Sequence, residues 1–126
     1  MVRTVAYQGA IGAFSEEACR AFLPEWTPIP RESFAAVVGA VQAGDAGRGI
    51  LPLRNSVAGD VPGVEALIRE SGLILLDRHR LPVRMHLLAV PDASLDSIGI
   101  VASHPMALAQ CRKWLDESEF EAREAV

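Results

Sequence analysis

Three times in this chain an apolar run stops at glycine, proline or small polar residues and gives way to a helix start. That recurrence constrains the fold more than any other feature. The central case is Gly49-Ile50-Leu51-Pro52-Leu53-Arg54-Asn55-Ser56-Val57-Ala58-Gly59. It reads as a short buried strand halted at Pro52, a polar loop, and then a helix with Asp60 at its mouth and Pro62 in its first turn. Tyr7-Gln8-Gly9-Ala10-Ile11-Gly12-Ala13-Phe14-Ser15 and Val101-Ala102-Ser103-His104-Pro105 have the same form. Strand, loop and helix N-terminus is the arrangement with which α/β proteins hold anions, because the first N–H groups of a helix lack intrahelical partners. Three such mouths facing one cleft would make a site for a small anion.

In chain order, Val2 to Gln8 reads as a first strand stopped at Gly9, and Ser15 as the cap of a helix running to about Leu23. Glu16 and Glu17 favour its first turn through the helix dipole. Ala18, Cys19, Phe22 and Leu23 form its apolar stripe, and Pro24 ends it. Trp26 to Ile29 is a short second strand. Ser33 caps the next helix, whose Phe34, Val37, Val38 and Val41 repeat at helical spacing, and Gly44 closes it. Gly47 to Leu53 is expected as the third strand, Val61 to Ser71 as the third helix with Gly72 as its stop, and Leu73 to Leu76 as a fourth strand. Asp77 to Arg84 carries alternating charge and Pro82, and reads as a crossing into a second lobe. There Met85 to Val90 and Ile98 to Ala102 read as strands around a short turn. Ser103 caps a last helix through about Leu115, with His104 at its first helical position, and Phe120 to Val126 opens one more strand. Strands alternating with helices at intervals of roughly 20 to 30 residues imply parallel βαβ units with helices on both faces. The expected fold is therefore α/β, with a first lobe over 1–80 and a partial second lobe over 81–126.

Composition narrows the partners. Half of the residues are hydrophobic, so the chain can build a core, but only 6% are aromatic, which argues against a base-stacking surface. A formal charge of -4 argues against a nucleic-acid backbone. A small anion remains compatible with it, because helix mouths and a few arginines act locally. No apolar run is long enough for a membrane span, and the first residues enter a strand at once instead of forming a signal peptide. Cys19 and Cys111 each sit inside an apolar helical pattern, as small buried hydrophobes do in a reducing cytoplasm. His79, His86 and His104 have no partner at metal-ligand spacing.

The candidate residues follow from the three mouths. Gly9-Ala10-Ile11-Gly12 lacks the spacing of a dinucleotide fingerprint. It is compatible with a plain strand-to-helix turn or with ligand contact. Asn55 and Ser56 help no strand; both can hydrogen-bond a carboxylate or hydroxyl, and both equally suit an Asx-type turn. Arg54 beside them can clamp a carboxylate or stand on the surface. His104 at a helix start would favour the neutral imidazole, a single hydrogen-bond donor without charge. His86 reads as structural and His79 as solvated.

In this order the stretches resemble the prephenate dehydratase family. Its members open with a strand and a glycine loop ending in Thr-Phe-Ser-Glu, here AYQGAIGAFSEEA. They continue with Pro-Ile-Glu-Asn-Ser and a following Gly, here GILPLRNSVAGDV. They then carry Ser-His-Pro-Gln-Ala-Leu-Ala-Gln-Cys, here SHPMALAQCRKWL. RESFAAVVGAVQAGDAGRG and LLDRHRLPVRMHLLA also match in type and spacing, so the likeness extends over the whole chain. It implies two α/β lobes of the type II periplasmic-binding-protein kind, with parallel sheets flanked by helices, the second lobe incomplete and the active site between them. The implied reaction is the decarboxylating dehydration of prephenate to phenylpyruvate in phenylalanine biosynthesis, in the cytoplasm, without metal or organic cofactor. Asn55, Ser56, Ser103 and His104 carry over as substrate-binding positions, with Gly9, Gly12 and Ser15 lining the first mouth and His104 the candidate catalytic group. Ala13, Arg54, Asp60 and Met106 depart from the family pattern. The family's Thr-Arg-Phe motif, source of its acid-catalytic Thr, and its phenylalanine-sensing domain are expected beyond Val126. The alternatives are a non-catalytic relative that binds a small carboxylate through Arg54, and a decarboxylase that does not aromatise prephenate. A half-built second lobe implies a homodimer or higher oligomer that covers its bare edges.

Overall fold

Val5, Ala6 and Tyr7 have no exposed surface at all, and the fold of the first half follows from that. They lie in β1 (Thr4–Gln8), which has a parallel neighbour on each side: β2 (Thr27–Arg31), in register from Thr4 opposite Thr27 to Gln8 opposite Arg31, and β3 (Arg48–Gly49). A strand hydrogen-bonded on both edges and covered on both faces carries apolar residues without alternation. The computed structural model describes residues 3–57 and 59–125. Val2, Ala58 and Val126, expected at a strand start, in the central loop and at a strand end, lie outside the described residues. The chain divides into two compact units, 1–82 and 83–126.

In the first unit, helices cover the two faces of the sheet. On one side Ala6 packs with Val37 and Ala40 of α2 (Phe34–Gln42) and with Ala46. On the other, Val5 and Tyr7 pack with Cys19 of α1 (Phe14–Phe22). α2 approaches β3 so closely that a Cβ at Gly49 would stand 2.9 Å from Val37 Cγ1, which explains a glycine inside a strand. β2 is an edge strand, and its Pro28 and Pro30 leave no exposed donors at those positions for another chain to pair with. Ser33 caps α2 as expected, its Oγ accepting from Ala36 N at 3.0 Å, and Gly44 and Gly72 end α2 and α3 (Val64–Ser71) with positive φ. Gln42 Nε2 donates to Ser71 O at 2.9 Å, tying α2 to the end of α3.

Several expectations are corrected. The helix expected from Ser15 begins at Phe14, with Ala13 at the cap and no side-chain cap bond. Ser15 lies inside the helix. The third strand is only Arg48–Gly49, extended by Ile50 N donating to Ala6 O at 3.0 Å; Pro52 turns the chain out of the sheet. No helix mouth follows directly. Instead β4 (Arg54–Asn55) pairs antiparallel with β5 (Gly59–Asp60), so Asn55 and Ser56 stand at a hairpin. α3 starts only after Gly63, whose left-handed backbone makes the turn. Asp60 is therefore a strand residue and not a helix cap.

Leu73–Leu76 and Met85–Val90 are not strands. They are apolar runs of strand length, yet among the described residues neither has a ladder partner. Ile74 and Leu88 are 82% and 87% exposed, and His86 is exposed, not structural. His79 is exposed as expected, and its ring also stacks on Phe22 of α1 with centroids 4.3 Å apart and lies 3.4 Å from Asp77. The second unit holds a 3-10 turn (Leu95–Ser97), β6 (Ile100–Ser103) parallel to β7 (Glu121–Glu124), and two short helices. The single last helix expected through Leu115 is broken at Cys111 into α4 (Pro105–Gln110) and α5 (Arg112–Glu117). Leu108 and Leu115 are its buried anchors. No helix among the described residues is long and apolar enough to cross a membrane.

Candidate functional site

The first candidate region is the loop from β1 to α1. Gly9 and Gly12 hold positive φ of 122° and 94°, which side chains rarely tolerate. Gly9 N donates to Arg31 O at 3.1 Å and Ala13 N to Ala10 O at 3.1 Å. Beneath the loop lies Glu16, only 9% exposed. Its Oε2 accepts from the buried Tyr7 Oη at 2.9 Å, and its Oε1 from Gly12 N at 3.3 Å, with Arg20 Nε at 3.5 Å. The Tyr7 hydrogen bond, foremost, and the Gly12 N–H and Arg20 guanidinium hold the Glu16 carboxyl below the ordinary carboxylate range against the opposing effect of burial. Burial, then the Glu16 bond, pushes the Tyr7 phenol up. Burial and the Glu16 charge push the Cys19 thiol to about 11, so it stays protonated and inert.

Beside this loop, at the carboxyl ends of β1 and β2, lies an open cavity of about 610 Å³ lined by Gly9, Pro30, Arg31, Glu32 and Ala36. The carboxyl ends of parallel strands are where α/β proteins take ligands. Arg31 and Glu32 were not singled out in the sequence. Their only signal there is their place between a strand end and the Ser33 cap. In the sequence Glu16 shows only as a residue that favours the helix dipole. The buried Tyr7, whose hydroxyl requires a partner, was the signal for it.

The hairpin gathers Arg54, Asn55 and Ser56. Asn55 Oδ1 accepts from Val57 N at 2.8 Å, the Asx turn that the sequence allowed. Arg54 Nε lies 3.1 Å from Asp60 Oδ1, directly opposite across the hairpin. That bond engages Nε and leaves the end-on face of the two terminal nitrogens for a carboxylate. Ser56 is exposed.

In the second unit, Ser103 is the last residue of β6, its carbonyl accepting from Ala125 N at 2.8 Å. Ser103 is not the cap of the following helix. His104 is: its Nδ1 accepts from Met106 N at 3.1 Å, and Pro105 takes the first helical position. The sequence placed the cap and the helix start one residue early. The correction has a chemical consequence. A ring whose Nδ1 accepts a hydrogen bond carries its neutral proton on Nε2, so His104 presents one N–H donor away from the helix. His104, Pro105, Glu124 and Ala125 line a cavity of about 370 Å³.

The sequence profile of one family, described as prephenate dehydratase, matches residues 5–126. The chain is 39% identical over 115 residues to a bifunctional N-acyl-homoserine lactone acylase/prephenate dehydratase from Komagataeibacter europaeus, covering 91% of this chain and 41% of that protein. It is 37% identical over 116 residues to a prephenate dehydratase from Amycolatopsis methanolica, covering 90% and 38%. The solved prephenate dehydratase from Staphylococcus aureus subsp. aureus Mu50 superposes with a TM-score of 0.81 at 25% identity, covering 97% of this chain and 47% of that one. It shares the α/β architecture of parallel strands flanked by helices. This chain spans less than half the length of each of these three relatives.

Proposed function

We propose, because this chain belongs to the prephenate dehydratase family, that it supplies the prephenate-holding part of an enzyme making phenylpyruvate on the route to phenylalanine. The observation that carries this reading is the family match over residues 5–126. In the reaction the ring carboxylate leaves as CO2 and its C–C electron pair enters the ring. The ring C–O bond breaks, and the departing hydroxide takes a proton to leave as water. The ring becomes aromatic, which supplies the driving force, so the chemistry calls for no metal or organic cofactor. The protein's task is to hold a dianion and to help the hydroxide depart.

Asn55 and Ser56 supply hydrogen-bond donors for the substrate, Arg54 an end-on guanidinium, and Gly9, Gly12 and Ser15 the floor of the first loop. Ser103 and His104 serve the second unit's part. The Nε2–H of His104 is the candidate donor to the departing hydroxyl, supported by its Nδ1 contact with Met106 N. Two free cysteines suit a reducing compartment, and we place the protein in the cytoplasm. The exposed apolar side chains of Ile74, Leu76, Leu88 and Val90 support association into a homodimer or higher oligomer. Sedimentation giving only monomer would remove that part of the proposal.

The deciding experiment mixes the purified chain with prephenate near neutral pH and follows phenylpyruvate by its enolate absorbance against a blank without protein. Turnover above the blank supports the full reaction. Prephenate affinity without turnover supports the holding role alone, and neither turnover nor affinity overturns the proposal.

A further inference from the structure

We infer that Glu16 is a positioning residue, whose carboxylate fastens the glycine loop to the interior of the sheet and so sets the Gly9 wall of the substrate cavity. Ala10, Ile11 and Gly12 are all exposed, and Ile11 is 82% so. A loop with two left-handed glycines and no buried side chain has little to hold its shape. Among the described residues its backbone donors make three hydrogen bonds. Gly9 N and Ala13 N reach carbonyls, and Gly12 N reaches Glu16 Oε1 at 3.3 Å. Only the last leads into the core. It runs from Gly12 through the carboxylate to Tyr7 Oη, in a strand residue without exposed surface. Gly9, three residues before Gly12, lines the 610 Å³ cavity with Arg31. Glu16 places a carboxylate of the protein itself on Gly12 N, so that loop amide is already engaged before any ligand arrives.

The binding consequence rests on the proposed prephenate reading; the loop-holding role does not. The test works in a Tyr7→Phe background, where the buried hydroxyl that would otherwise lose its partner is gone. Tyr7→Phe alone leaves Gly12 amide exchange, read by NMR, within twofold of the unchanged chain. Adding Glu16→Met, similar in volume and unable to accept, speeds Gly12 exchange at least tenfold. It keeps the Val5 to Tyr7 backbone amides protected and weakens prephenate binding at least fivefold. Gly12 exchange unmoved by Glu16→Met overturns the inference. So does a freed Gly12 with prephenate bound as tightly as by the Tyr7→Phe parent. If neither that parent nor the unchanged chain binds prephenate, the substrate reading falls, and Gly12 exchange alone decides whether Glu16 holds the loop.

Discussion

The loops after β1 and after β6 face the same problem, the passage from a parallel strand into a helix with its first N–H groups unpaired, and they meet it with opposite chemistry. After β1 no side chain caps the helix; an ionised carboxylate, buried and shared with a core tyrosine, instead accepts from Gly12 N in the loop before it. After β6 the acceptor is a neutral imidazole nitrogen on an exposed histidine. The first arrangement spends its polar group on structure. The second uses one ring nitrogen for the cap, and in the proposed reading the other serves the substrate. Outwardly similar mouths therefore divide the work: one holds backbone in place, the other presents a donor.

The sharpest break in that comparison comes from Glu16→Ala. It strands the Tyr7 hydroxyl in the sheet and releases Gly12, and the first unit's thermal midpoint should fall by roughly 10 °C. A midpoint within about 2 °C of the unchanged chain, too small for the loss of even one buried hydrogen bond, would mean that the carboxylate is not structural. Acid should act in the same direction. The folded Glu16 carboxyl is held below its ordinary value of 4.5, first by the Tyr7 bond. Its contribution is therefore complete above that value and is lost as the pH falls through the lower, folded one. Unfolding followed from pH 6 downward should show this loss in the unchanged chain and not in Tyr7→Phe/Glu16→Met.

Ser56→Ala tests the exposed side of the contrast. It should weaken prephenate binding by about 1.5–3 kcal/mol, as expected for a lost hydrogen bond to a charged group, while the unfolding midpoint barely moves. Equal loss of binding and stability would assign Ser56 to the hairpin turn instead. His104 separates cap from donor more finely. His104→Ala should cost about 1 kcal/mol of stability through the lost cap. His104→Asn restores a capping oxygen but has no Nε2–H, so stability should return and any turnover should not. Recovery of both would reduce His104 to a cap.

The sequence made the local features readable and left the tertiary ones hidden. Ser33, Gly44 and Gly72 act within a few residues of themselves, and each sits where its chemistry predicted. Asn55 was readable as a turn residue for the same reason. The Tyr7–Glu16 bond joins two elements, and no spacing rule connects them. The hairpin at Arg54–Asp60 escaped because strands of two residues carry no periodicity to detect. Leu73–Leu76 and Met85–Val90 show the converse. Their apolar runs are of strand length, but a strand also needs a hydrogen-bonded neighbour, which pattern alone does not supply. His104 and Pro105 were displaced by one position because the imidazole takes over the cap that a preceding serine usually provides.

Arg54 and Asp60 carry the smallest expected effect and the finest distinction. They face each other across the hairpin at 3.1 Å, yet their side chains are 75% and 70% exposed. Water and salt screen such a pair, and holding two flexible side chains in one geometry costs entropy. Arg54→Ala should therefore lower stability by no more than about 0.5 kcal/mol. Its effect on prephenate depends on whether the terminal nitrogens act as a clamp. If they do, Arg54→Ala weakens binding and Asp60→Ala, which releases the guanidinium from its neighbour, strengthens or preserves it. If the pair merely staples the hairpin that presents Asn55 and Ser56, the two substitutions weaken binding alike. Comparing the two affinities assigns the hairpin either to the presenting class, with His104, or to the scaffolding class, with Glu16.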